Sequence, residues 1–237
     1  MKKIIIILLL ALPVLSFAQQ EVTWDYPVKP GTKEWKSQIK NNEDRIRLCQ
    51  IPPEVLPNLP TKELTKIVLD YPLFRTITAF GPLQNGFNIL KKQFNGFDEL
   101  FARKDAAEEI VLTYNERDHK RIEANWGNIE KGDWRFFIFD TEILLSQNEI
   151  LSKLSEQELK VLLKESINKF NSKMEVGYSL YVAHTSLLLA GRIMDKLEHP
   201  DFISAKGKNE NIRFFLNTGM FSDKETSTII QDLASKI

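Results

Sequence analysis

Three histidines, one cysteine and a scatter of carboxylates are the side chains of this 237-residue sequence best suited to act on a substrate or hold a metal. His119, His184 and His199 do not form the zinc-protease pattern of two histidines four apart around a glutamate. Asp118 and His119 are adjacent, so on a helix they would not share a face. His199 stands beside Glu198 and Pro200 at an expected helix end, where a cation complements the backbone dipole. His184 is the more interesting one, between Tyr181 and Leu188 on one helical face. A core histidine bonded to a hydroxyl or carbonyl is the plainer account of it, and a proton-transfer or ligand role the sharper one. One cysteine can form no intrachain disulfide and is too few for a thiolate zinc site, so no metal is expected. Cys49 lies three residues after Ile46 on an apolar stripe, which reads as a buried, inert thiol.

Serine nucleophile elbows, phosphate-binding loops and dinucleotide glycine patterns are absent, and the ten glycines follow no spacing. A glycosidase-type carboxylate pair could be drawn from the many Asp and Glu, but nothing singles out two of them. Lys160, Lys164, Lys169 and Lys173 interleave with Glu158, Glu165 and Glu175, the pattern of a solvent face with i,i+4 pairs. Catalytic residues are therefore unknown from sequence, and no cofactor is implied. The 32 basic and 32 acidic residues balance, which argues against a nucleic-acid partner. Trp24, Tyr26, Trp35, Trp126 and Trp134 lie in or beside polar segments, where large aromatics can anchor a protein or stack on a sugar. Trp24 and Tyr26 read as a staple for the N-terminal arm. Trp126 and Trp134, together with His184, are the candidate ligand-binding residues.

The elements that must position these groups follow from punctuation and periodicity. Lys2 and Lys3, the apolar run Ile4 to Leu12 and the small residues of Ser16-Phe17-Ala18 make residues 1–18 a signal peptide cleaved before Gln19. That apolar run is too short to span a bilayer, and no membrane-spanning segment is expected in the mature chain. Residues 19–32, with two prolines and Pro-Gly, form an extended arm that ends at a helix cap on Thr32. Four prolines between Gln50 and Pro60 leave room for one helical turn. Beyond them helix signals dominate. Thr61 is expected to cap a segment carrying Leu64, Ile67, Val68 and Tyr71, and Gly96 is expected to break the run that Leu83 begins. Trp134 to Leu145 keeps helical spacing, and Ser155 and Ser222 each open a capping box. Tyr178 to Leu197 is apolar almost all round and reads as a central buried helix closed by Pro200. The expected fold is all-α over residues 33–237, a compact array of short paired helices compatible with a degenerate α-solenoid-like bundle. The polar stretch 117–133 marks where it would divide.

Several stretches resemble a group of uncharacterised exported bacterial proteins. They are Tyr26-Pro27-Val28-Lys29-Pro30-Gly31-Thr32 with Glu34-Trp35, Cys49-Gln50-Ile51-Pro52, Leu69-Asp70-Tyr71-Pro72-Leu73, Gln93-Phe94-Asn95-Gly96-Phe97, Arg103-Lys104-Asp105-Ala106, Asn125-Trp126 and Gln147-Asn148-Glu149-Ile150-Leu151. The likeness implies a secreted, mostly helical domain and carries no catalytic residues with it. The expectation is a periplasmic or extracellular binding domain whose partner is a protein, peptide or glycan. The alternative is a hydrolase of envelope or other polymers, using a carboxylate pair or His184 with a carboxylate.

Overall fold

The computed structural model describes residues 22–122, 125–220 and 223–237, so the signal peptide expected at 1–18 lies outside the described residues. Among the described residues the fold is all-α: thirteen α-helices and three 3-10 turns, with no strand. None of these helices is long and apolar enough to cross a membrane.

The arm is stapled down as its aromatics suggest. Tyr26 is buried, its hydroxyl donates to the Ile67 carbonyl at 2.8 Å, and Trp24 meets its ring edge-on at 4.7 Å. Thr32 caps α1 (Lys33–Gln38) by accepting from the Trp35 amide. Helix α2 (Asn42–Leu48) ends at Cys49, and the proline-rich stretch after it yields one 3-10 turn, Leu56–Asn58. In α3 (Thr61–Leu69) the cap position belongs to Pro60. Thr61 is the first helical residue, and its hydroxyl donates instead to Asp105 at 2.9 Å.

After the 3-10 segment Phe74–Phe80, α4 (Leu83–Gln93) and α5 (Asn95–Ala102) part at Phe94 and not at Gly96. Gly96 sits inside α5, and the position requires glycine because a Cβ there would meet the Phe94 ring at 2.6 Å. The joint stacks Phe94 on Tyr71 with centroids 4.2 Å apart and an interplanar angle of 4°. Phe97, fully buried, then packs edge-on against Tyr71, Phe74, Phe87 and Phe94 at 5.4–5.9 Å, a favoured aromatic geometry. Two of the motif stretches lock this joint together. Gln50 donates to the Gln93 carbonyl at 2.8 Å, while Asn95 donates to the Ile51 carbonyl and accepts its amide at 2.7 and 3.1 Å.

Helix α6 (Ala106–Asn115) leads through a 3-10 turn, His119–Arg121, to α7 (Asn128–Leu145). The aromatic run from Trp134 is helical, as its spacing requires, and α7 begins early enough to take Gly132 and Asp133 out of the polar stretch. One turn, α8 (Asn148–Leu151), precedes α9 (Glu156–Glu175), which opens with the expected box: Ser155 Oγ accepts from the Glu158 amide and the Glu158 carboxylate from the Ser155 amide. Helix α10 (Leu180–Lys196) is buried from Ala183 to Gly191. It packs against α7, α9, α11 (Pro200–Lys208), α12 (Glu210–Thr218) and α13 (Lys224–Ala234). Contacts of α4 with α12 and of α3 with α7 close the array into a bundle around α10.

Two helix ends differ from expectation. Ser222 lies outside the described residues, and Asp223 caps α13 by accepting from the Thr226 amide at 2.7 Å. Pro200 opens α11 rather than closing α10, which ends on its own backbone bonds, Glu198 to Asp195 and His199 to Met194, each 3.1 Å. Glu198 holds the left-handed position (φ 50°) usually given to glycine.

Candidate functional site

Charge inside a helical bundle has to be explained first, because an unpaired buried ion is strongly unfavourable. Glu142 of α7 is 0% exposed and Lys173 of α9 is 2% exposed, and they pair at 2.5 Å. Ser186 donates to Glu142 Oε1 at 2.6 Å and the Tyr114 hydroxyl to the same oxygen at 3.0 Å, while Thr185 donates to Oε2. Burial by itself would push the Glu142 carboxyl up. The Lys173 ammonium and these donors more than offset that and hold it below its ordinary range. Lys169, one turn earlier, is buried too: it donates to the Arg117 carbonyl, pairs with Glu165 at 3.0 Å and lies over the Tyr114 ring.

The lysine series of α9 is therefore a corrected reading. Lys160 and Lys164 are exposed, but Lys169 and Lys173 turn inward. A signal for this was present. Glu142 shares a stripe with Ile138 and Leu145, and Lys169 and Lys173 continue the stripe of Leu162 and Ser166. The cluster joins α6, α7, α9 and α10, and its central pair, Glu142 and Lys173, is sealed from solvent and holds the fold together.

Asp140, on the same helix, is handled differently. It is 3% exposed, and its Oδ1 has no hydrogen-bond partner among the described residues. Burial raises its carboxyl well above the ordinary range, with Arg75 opposing only in part. The folded carboxyl therefore keeps its proton to higher pH than in the unfolded chain, which ionises it near 3.8. Its destabilising effect is absent below that pH and grows as pH rises. Asp140→Asn should therefore stabilise the protein at neutral pH by about 1 kcal/mol or more, with the gain vanishing as pH falls toward 4. Denaturant midpoints of both forms across that range measure it.

The sequence-chosen candidates occupy two other places. Trp126 meets Trp134 edge-on at 5.4 Å, Trp134 Nε1 donates to the Asp118 carbonyl at 2.8 Å, and Arg117 lies over the Trp134 and Phe137 rings at 4.4 and 4.2 Å. This pair pins the polar stretch onto α7. His184 is buried on α10 with its ring 6.3 Å from that of Phe215. Cys49 is fully buried, and burial pushes its thiol up to about 11, as expected of an inert thiol. Among the described residues no group of three His, Cys, Asp or Glu could hold a metal ion.

None of Trp126, Trp134 and His184 lines a groove of about 600 Å³ that opens between α4, the α7–α8 joint, the second half of α10 and the end of α12. Its walls carry the carboxamides of Gln84, Asn88, Gln147, Asn148 and Asn217. Two of them are fixed in place. Gln84 Nε2 donates to Asn88 and to Gln147 at 2.9 Å each, and the buried Gln147 donates to the Ile143 carbonyl at 2.8 Å. Lys91 pairs with Glu149 at 2.9 Å. Partial burial raises the Glu149 carboxyl, but the hydrogen bond from Lys91 outweighs it and the group sits below its ordinary range. Arg192 reaches the groove from α10, bonded to the Leu216 and Ser146 carbonyls. Gln147, Asn148 and Glu149 fall in one of the stretches that carry the resemblance, and no spacing rule links them to the others, which are drawn from positions 84 to 217.

Compared with protein-family models, curated proteins and solved structures, the chain matches none.

Proposed function

We propose that this chain is an exported helical binding domain that takes its partner, a protein, peptide or glycan, in the groove between α4, α8, α10 and α12. One observation carries the reading: Gln84 and Gln147, two of the groove carboxamides, are held by internal hydrogen bonds before any ligand arrives. Groups positioned in advance lose little conformational freedom on binding, and Gln84 keeps its carboxamide oxygen as an acceptor for the partner. The hydrolase alternative needs a carboxyl held high enough to donate a proton. Glu149 is held low by Lys91, which favours recognition over acid catalysis. The leader pattern at 1–18 supports export.

The test is amide hydrogen exchange on the full chain in the presence of cell-envelope extract separated into peptide and glycan fractions. A ligand fraction should slow exchange at residues 146–149 and 192–198, and Asn88→Ala, an exposed wall position, should weaken that protection several-fold. Protection elsewhere with this groove unchanged would end the proposal. Consumption of the fraction would move the reading to the hydrolase.

A further inference from the structure

We infer that the groove takes a short peptide and that Arg192 receives the peptide's carboxylate. This rests on the binding reading above and narrows it to one ligand class. Arg192 carries the argument. Its Nε and one terminal nitrogen donate to the Leu216 carbonyl at 3.0 and 2.7 Å, and its other nitrogen donates to the Ser146 carbonyl at 3.0 Å, with Ser146 Oγ at 3.4 Å. These bonds fix the plane of the guanidinium without neutralising it. Among the described residues no carboxylate lies within ion-pair distance of it: Glu149 is taken by Lys91 and Asp195 by Lys206. Burial pushes the guanidinium down to about 10, with Glu149 as the only opposing influence, so it remains a cation at neutral pH. Four of its five N–H groups are committed in this way, and the fifth, on the terminal nitrogen bonded to Leu216, is left to give an incoming carboxylate one charge-assisted hydrogen bond from an immobilised, uncompensated cation.

The rest of the wall selects the kind of acid. Gln84 Nε2 is committed to Asn88 and Gln147, which leaves the Gln84 oxygen as an acceptor and the Asn88 Nδ2 as a donor on the wall, the two kinds of group a peptide backbone pairs with. The one aromatic ring among the lining residues, Phe87, is 1% exposed, so the groove presents no platform for a sugar face.

Equilibrium dialysis of the full chain tests this, with three probes read by mass spectrometry. They are an N-acetylated random hexapeptide library ending in a free carboxylate, the same library amidated at its C-terminus, and inorganic phosphate as competitor. The free acids should be retained about tenfold or more over the amides, the scale of a lost charge-assisted hydrogen bond. Excess phosphate should leave them bound, and Arg192→Lys should abolish the preference. Equal retention of acids and amides, displacement by phosphate, or a folded Arg192→Lys that keeps the preference would each overturn the inference. If Arg192→Lys does not fold, the acid-against-amide ratio of the unaltered protein decides. Retention of neither library also overturns it. The broader binding reading then survives only if an envelope fraction still protects the groove.

Discussion

Lys173→Met should remove about 3–5 kcal/mol of stability, because it leaves the Glu142 carboxylate buried without its cation. Three hydroxyls, from Tyr114, Thr185 and Ser186, would still donate to Glu142, but hydroxyl dipoles do not neutralise a net charge. Adding Glu142→Gln should recover most of the loss, since replacing both ions together removes the uncompensated charge. Denaturant unfolding of the two single variants and the double variant gives the coupling directly. A single variant within 1 kcal/mol of the parent would mean the pair is not held as described. The pair also sets a pH response. The folded Glu142 carboxyl lies below its unfolded value of 4.5, so its stabilisation is present above that value and is lost as pH falls through the folded one. The relief at Asp140 is complete as pH falls to about 3.8, where the Glu142 loss takes over, so Asp140→Asn should change stability above that pH and leave the decline below it unaltered.

Gly86→Ala should be similarly damaging, by about 3 kcal/mol, although helix propensity alone would make it stabilising. Gly86 lies within α4 where that helix crosses the 3-10 segment, and a Cβ there would stand 2.1 Å from the Ile77 carbonyl oxygen. The obstacle is backbone, and Ile77 is itself fully buried, so relief requires moving the whole segment. Gly132→Ala is the internal control. It sits inside α7 with no atom within 4 Å of the added methyl, and it should gain about 0.5–1 kcal/mol. Thermal melts that shift in the same direction for both would contradict the packing described.

These two sites show what the sequence could and could not carry. The helical periodicity of Trp134 to Leu145 and the Ser155 box are local properties, and both were readable because the physics that forms them lies within a few residues. The glycine at position 132 belonged to a turn by composition, yet neighbouring turns of α7 carry it along. At Gly96 the deciding contact is the Phe94 ring, so the break moved to the residue that gains from stacking on Tyr71. The lysines of α9 were harder. Alternation with glutamate looks the same whether a residue meets water or an opposite charge on another helix, and Glu142 is separated from Lys173 by 31 positions. The groove was not legible at all. Its amides carry no spacing rule, and only the crossing of four helices brings them together.

Cys49 gives the chain a chemical record of its own opening. The thiol is sealed beneath the arm and the end of α2, so an alkylating reagent can reach it only while those pieces are lifted from the body. Its modification rate therefore reports how often that seam parts, with no engineered label. In an oxidising milieu, molecules that fail to close would become covalently paired, and the fraction of such pairs would count misfolding after the fact.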